Sequence, residues 1–137
     1  MNSTQKEVPA QAGELPGLQE FLRAWWASSG FAEEARFAFE LALEELFVNA
    51  VTHGSASRVI VALERAPGQP AARMTFSDDS PPFDPLSLPA PDLDAPLEKR
   101  TVGGLGLHLI RTMMDEVHYC RDGDLNRLTI SKALPSP

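Results

Sequence analysis

The feature that most constrains the fold is an uninterrupted helical pattern from residue 32 to residue 53, which Gly54 ends. Apolar residues recur along this stretch with helical spacing and predict a buried face, made of Phe39, Leu43, Leu46, Phe47 and Ala50. Beside that face, within roughly 80° of one another, lie three polar side chains, those of Glu45, Asn49 and His53. Asparagine in a helix interior costs roughly 0.6 kcal/mol relative to alanine, because its side chain competes for backbone hydrogen bonds. The pattern predicts a core helix with a polar edge, which is either a functional site or an ordinary solvated stripe.

Patterns on both sides of this helix predict an α/β domain in which the helices come early and most strands late. They predict a weak first strand at 5–9, a helix at 15–30 that a glycine ends, and the long helix at 32–53. A hairpin at 58–77, a third helix at 104–115 and a second hairpin at 116–134 follow. One face of the third helix is predicted to carry Leu107, Ile110, Met114 and Val117. The order predicts a two-layer sandwich, with three helices on one face of a mixed sheet of about five strands.

The composition is that of one globular domain, which we expect to span residues 1–137 with flexible termini at about 1–4 and 134–137. Net charge is −7, and without a basic stripe this argues against a nucleic-acid surface and favours a partner with basic patches. No apolar run approaches the ~20 residues of a membrane span, and the N-terminus lacks a signal-peptide pattern. We therefore expect a cytoplasmic protein with no membrane contact. The single cysteine, Cys120, predicts a buried free thiol.

The segment 79–102 holds six of the twelve prolines and shows no apolar periodicity. A loop of this length inside a compact domain is usually either a functional lid or a disordered linker. It is bracketed by the acidic segment DDSPPFDP at 78–85 and the glycine run GGLG at 103–106, which favours a lid. Glycines at a loop-to-helix junction let the backbone approach an anion near the first free N–H groups of the helix, although a flexible hinge explains such a run about as often.

Three segments in this order resemble the boxes of the histidine-kinase-like ATPases. The segments ELALEELFVNAVTHG, DDSPPFDP and GGLGLHLIRTMMDEV resemble the N-box, the adenine-binding box and the glycine-rich box after the lid. The resemblance covers about residues 15–133 and is nearest to the anti-sigma-factor serine protein kinases of the RsbW and SpoIIAB type. It implies a Bergerat-type ATPase fold and an ATP-dependent serine/threonine kinase with Mg²⁺ as cofactor. It also implies a possible homodimer, a sigma factor or similar effector, and a STAS-domain anti-anti-sigma protein that is phosphorylated on serine.

The resemblance also implies a role for individual residues. Glu45 matches the general base, and Asn49 matches the ligand of a Mg²⁺ ion that bridges the nucleotide phosphates. Asp78 matches the aspartate that accepts a hydrogen bond from the exocyclic amine of adenine. The further nucleotide-binding positions in these boxes are His53, Ser80, Phe83, Gly103, Gly104, Leu105, Gly106 and Leu107. The two cations near the end of the lid segment, Lys99 and Arg100, would reach the outer phosphates if a lid places them there, although a plain solvated pair explains them about as well.

Ser80 departs from the family pattern, which usually has glycine two residues after the adenine aspartate. If the backbone there needs φ > 0 or close contact with the purine, serine costs on the order of 1 kcal/mol and weakens nucleotide binding. Two other functions stay open. One is a non-catalytic nucleotide-sensing adaptor, which Ser80 favours and Glu45 disfavours. The other is a detached ATP-binding domain of a histidine kinase, against which stands the lack of a separate helix with a phosphoacceptor histidine.

Overall fold

The structure is a computed structural model, and it describes residues 4–52, 54–68, 70–84, 86 and 104–134. The helices are α1 (Leu15–Ser29), α2 (Glu33–Thr52) and α3 (Gly104–Met113), and the strands are β1 (Thr4–Pro9), β2 (Arg58–Arg65), β3 (Ala71–Asp78), β4 (Glu116–Asp122) and β5 (Leu125–Ala133). These bounds agree with the sequence patterns to within about two residues at most ends. Most of the predicted lid and of the predicted flexible termini lies outside the described residues.

The five strands form one sheet in the order β1-β2-β3-β5-β4, and each neighbouring pair is antiparallel. The expectation of a mixed sheet was therefore wrong. β3 and β4 do run in the same direction, joined by a crossover through α3, but β5 returns from β4 by a hairpin and lies between them. The two parallel strands are thus never neighbours.

The core lies between the sheet and the helices, because alternate strand residues point to the helix-covered face. Its strand side includes Val59, Val61, Leu63, Met74 and Phe76, and its helix side includes the five apolar residues predicted for α2, each at most 7% exposed. α2 is the central helix and packs against both α1 and α3. None of the helices in the described part of the chain is long and apolar enough to cross a membrane.

Two sequence expectations near the C-terminus need correction. The third helix ends at Met113, because the N–H of Asp115 already donates to the carbonyl oxygen of Ser131 over 3.0 Å. Val117 therefore lies on β4 and not on the helix, where it is half-buried. Cys120 is a free thiol as expected, but it is only half-buried, since β4 is an edge strand of the sheet.

Candidate functional site

The polar edge of α2 carries Glu45 and Asn49 at half-buried positions, whereas the neighbouring Glu44 is exposed. The amide nitrogen Nδ2 of Asn49 donates to Oε1 of Glu45 over 3.5 Å. Because an ionised carboxylate can only accept hydrogen bonds, this contact turns the amide so that Oδ1 of Asn49 is directed away from Glu45. The edge therefore presents an amide oxygen beside a partly shielded carboxylate.

The C-terminal end of α2 packs tightly against the loop that follows β3. The N–H of Gly54 donates to the carbonyl oxygen of Asn49 over 2.9 Å, just past the end of the helix. A Cβ atom added to Gly54 would stand only 2.5 Å from Oγ of Ser80, so the contact requires a residue without a side chain. This approach brings the polar edge of α2 next to the loop that begins at Asp78.

Ser80 stands where the resemblance implied glycine. Of the described residues, none other than glycine has a positive φ, so the expected conformational cost of a serine here does not arise. The side chain is 6% exposed, and its hydroxyl finds no hydrogen-bond partner among the described residues. A buried polar group left unpaired costs about 1–3 kcal/mol. The cost of Ser80 is therefore one of polarity and space, and the backbone conformation contributes nothing to it.

Asp78 is the last residue of β3 and lies directly across from Asn126 of β5, which in turn pairs with Arg121 of β4. Oδ1 of Asp78 accepts hydrogen bonds from the backbone N–H of Ser80 over 2.9 Å and from Nδ2 of Asn126 over 3.4 Å. No group in the described part of the chain donates to Oδ2 of Asp78. The helix-covered face of the sheet thus ends in the side chains of Asp78, Asn126 and Arg121. Among the described residues, Oδ2 of Asp78 has no hydrogen-bond donor and is available to a ligand.

Asp79 fixes the same loop to the start of β2. Its carboxylate accepts hydrogen bonds from the N–H groups of Ser57 over 2.7 Å and Arg58 over 3.1 Å, and from the Ser57 hydroxyl. Partial burial alone would raise the pKa of Asp79, but the hydrogen bonds from Ser57 and Arg58 outweigh it and lower the pKa below its ordinary value. The ionised carboxylate therefore holds together the segments before β2 and after β3.

The third component of the site is the beginning of α3. β3 ends, β2 begins and α3 begins at the same end of the sheet, because α3 runs back from the end of β3 to the start of β4. The unpaired N–H groups and the dipole at a helix N-terminus favour anions. The amide oxygen of Asn49, the carboxylate of Asp78 and an anion-favouring helix end therefore lie toward the same end of the domain.

The remaining predicted site residues are distributed as follows. Phe83 is 54% exposed, and its N–H donates to Oδ1 of Asn126 over 3.1 Å. Leu107 is buried in the core of the domain. The first turn of α3 contains Gly104, Leu105 and Gly106. Outside the described residues lie His53, Lys99, Arg100 and Gly103.

Sequence reasoning missed Asn126, Tyr119 and Arg121, which hold the loop after Asp78 in place. The sequence does contain a signal for Asn126. It alternates along the strand with the apolar residues Leu128 and Ile130, so this polar side chain lies on the same helix-covered face as the core. A buried polar residue in line with core positions indicates a hydrogen-bonding role. Recognising its partners would have required the strand register.

A cavity of about 340 Å³ lies elsewhere, on the face of the sheet that the helices leave uncovered. Its lining includes Glu64, His118 and Thr129, and Thr129 shares a hydrogen bond with Thr75 over 3.3 Å. Antiparallel sheets often keep one such polar face toward water. The cavity is separated from the candidate site by the thickness of the sheet and is not part of it.

The fold and the polar end of the domain are those of a nucleotide-binding α/β domain. Residues 8–132 match the family model of the histidine kinase-like ATPase domain, and the chain therefore belongs to this family. Membership of an ATPase family implies ATP binding, which suits a site with a carboxylate oxygen to spare and an anion-favouring helix end. No curated protein sequence matches the chain.

Solved structures agree on the fold. A crystal structure of the RsbU and RsbW domains of Rv1364c from Mycobacterium tuberculosis is similar, with 18% identity and a TM-score of 0.68, over 98% of this chain and 33% of that one. The histidine kinase AdeS of Acinetobacter baumannii is similar with 15% identity and a TM-score of 0.54, over 96% of this chain and 68% of that one. The chain thus spans about a third of the first structure's length. At these identities the likeness establishes the fold alone.

Proposed function

We propose that the chain is an ATP-dependent serine/threonine protein kinase in a partner-switching circuit. The observation that most supports this is the hydrogen-bonded pair of Glu45 and Asn49, with 3.5 Å between Oε1 and Nδ2, at the end of the domain that also holds Asp78. A nucleotide sensor needs an amide to bind a metal–nucleotide complex but has no use for a carboxylate next to it. A kinase uses both.

Asn49 would hold Mg²⁺ through Oδ1, the oxygen that its contact with Glu45 leaves available. A hard cation prefers oxygen ligands, and Mg²⁺ commonly takes one or two from the protein and the rest from phosphates and water. Bound ATP would supply the phosphoryl group, with Mg²⁺ neutralising part of its charge.

Glu45 would act as the general base that accepts the proton of the attacking serine hydroxyl. The hydrogen bond from Asn49 orients its carboxylate, and partial burial keeps the group close to the site while Glu44 is directed to solvent. Asp78 would accept a hydrogen bond from the exocyclic amine of adenine through Oδ2. Toward the phosphates we propose the first turn of α3 together with four residues outside the described part of the chain, namely His53, Lys99, Arg100 and Gly103.

The proposed partners follow from the likeness to the RsbW type. The M. tuberculosis neighbour contains an RsbW domain, and by analogy we infer that this chain phosphorylates a STAS-domain anti-anti-sigma protein and sequesters a sigma factor or similar effector. The net charge of −7 is suited to a partner with basic patches. A cytoplasmic location and a homodimer belong to the same proposal.

Single-turnover phosphoryl transfer at saturating Mg·ATP tests this function. The candidate acceptors are any STAS-domain proteins whose genes lie near the gene for this protein, and the variant is Glu45→Gln. We expect label on a serine with the parent protein, and a loss of about 10²–10⁴-fold in rate with Glu45→Gln at nearly unchanged ATP affinity.

Glu44→Gln is the matched control, because Glu44 is the exposed neighbour of Glu45 on the same helix turn. It should transfer at the parent rate. Transfer by Glu45→Gln at the parent rate would remove Glu45 as the base. Binding of Mg·ATP without transfer to any acceptor would favour the adaptor function over the kinase.

A further inference from the structure

Asn126 is the most heavily hydrogen-bonded side chain at the end of the sheet, and it is 7% exposed. Its amide nitrogen donates to the carbonyl oxygens of Pro81 over 3.0 Å and Ser80 over 3.3 Å, and to Oδ1 of Asp78 over 3.4 Å. Its amide oxygen accepts from the Tyr119 hydroxyl over 2.6 Å, from the Phe83 N–H over 3.1 Å and from Arg121 over 3.3 Å. We propose that Asn126 is a positioning residue that sets the Asp78 carboxylate for recognition of the purine base.

The orientation of the Asn126 amide is determined by partners that can only donate or only accept a hydrogen bond. The backbone N–H of Phe83 can only donate, so it requires the amide oxygen. The carbonyl oxygens of Ser80 and Pro81 can only accept, so they require the amide nitrogen. A flipped amide would place like dipoles against each other at all three contacts.

This fixed amide and the backbone N–H of Ser80 together hold one oxygen of Asp78 and leave the other for a ligand. Oδ1 receives both Asn126 Nδ2 and the N–H of Ser80, whereas Oδ2 receives nothing from the described residues. Arg121 strengthens the arrangement by donating to the carbonyl oxygen of Ser80 over 2.8 Å. A carboxylate held at one oxygen presents the other in a defined direction, and pre-organised acceptors discriminate best between ligands with and without a matching donor.

This inference rests on the proposed ATP site, in which Oδ2 of Asp78 meets the exocyclic amine. The predicted consequence is specific: losing Asn126 should remove the protein's ability to tell ATP from the same nucleotide without that amine. A merely structural role would weaken both nucleotides alike. The test compares ATP with purine riboside 5′-triphosphate, which lacks the amine, by calorimetry in the presence of Mg²⁺.

We expect the parent protein to bind ATP about tenfold or more tightly than the analogue, since a site built for a hydrogen bond rejects a ligand that lacks it. In Asn126→Ala the ratio should fall to about twofold or less, mainly through weaker ATP binding. Thr129→Val, on the opposite face of the same strand, is the control and should keep the parent ratio.

The outcomes separate the two proposals. A folded Asn126→Ala protein that keeps the parent ratio, or that loses affinity equally for both nucleotides, overturns the role of Asn126 alone. A parent protein that does not discriminate overturns the role of Asp78, and this inference with it. If Asn126→Ala does not fold, Tyr119→Phe decides: removing one donor to the Asn126 oxygen should lower the ratio about two- to threefold, and an unchanged ratio overturns the inference.

Discussion

Replacing Gly54 with alanine tests the close contact between the end of α2 and the loop after β3. The added Cβ would stand 2.5 Å from Oγ and 3.4 Å from Cβ of Ser80, and 3.2 Å from the carbonyl oxygen of Ala50. The backbone of Gly54 is not left-handed, so the strain comes from space alone. Ser80 must move or rotate, and the end of α2 must yield by a few tenths of an ångström. Overpacking of this kind costs about 1–3 kcal/mol, and we expect a loss of about 2 kcal/mol in the free energy of unfolding.

Combining Gly54→Ala with Ser80→Gly separates the two sources of strain. The second change removes the atoms at 2.5 and 3.4 Å and leaves the contact with the Ala50 carbonyl oxygen at 3.2 Å. Ser80→Gly alone removes the unpaired hydroxyl, a gain of about 1 kcal/mol, and adds chain entropy, a cost of about 0.5–1 kcal/mol, so its net effect on stability should be within about 0.5 kcal/mol. The double variant should therefore lose less than the sum of the single losses, by about 1 kcal/mol or more.

Urea unfolding followed by the fluorescence of Trp25 and Trp26 measures all four proteins of this cycle. At about 4 °C per kcal/mol for a chain of this size, Gly54→Ala should also lower Tm by ~8 °C. Gly13→Ala is the control, since a Cβ there would meet nothing within 4 Å, and it should change stability by at most about 0.5 kcal/mol. A Gly54→Ala protein as stable as the parent, or strictly additive losses, would refute the contact.

Two further predictions concern the same loop. Ser80→Ala removes a buried hydroxyl without a described partner, so it should raise the free energy of unfolding by about 1 kcal/mol; a clear loss in urea unfolding would show that the hydroxyl is paired. Asp79→Asn should destabilise by about 1 kcal/mol at pH 7. Because folding lowers the pKa of Asp79 from 3.8, this carboxylate stabilises the protein above that pH and loses its contribution as the pH falls through the folded value. The deficit of the variant should shrink below about pH 4, and a deficit that stays constant from pH 7 to pH 3 would contradict the pKa shift.

The helices, their buried faces and their ends could be predicted from the sequence, because they depend on the spacing of residues close together in the chain. The pattern of α2 identified both the buried face and the edge that carries Glu45 and Asn49, and glycines marked the end of α1 and the start of α3. The C-terminal stop of α1 is physically clear, since Gly30 has φ 83°, a conformation that favours glycine.

The parts that could not be predicted depend on which strands become neighbours. The insertion of β5 between β3 and β4 makes the sheet antiparallel throughout and places Asn126 across from Asp78, 48 residues away along the chain. The fit of Ser80 against Gly54 likewise joins two loops that are distant in sequence. The family pattern alone suggested that serine at position 80 strains the backbone. In the structure its side chain instead fits against Gly54, which has no side chain of its own.

The most direct test of the central claim is the affinity of the folded protein for Mg·ATP with and without Asn49. Asn49→Ala should preserve the fold, because it replaces a poor helix residue by a good one at a half-buried position. Val48→Ala, an exposed neighbour on α2, is the control. Calorimetry should show that Asn49→Ala binds Mg·ATP about tenfold or more weakly than the parent and the control, a difference of about 1.4 kcal/mol. Equal affinity in a folded Asn49→Ala protein would contradict the assignment of this end of the domain as the nucleotide site.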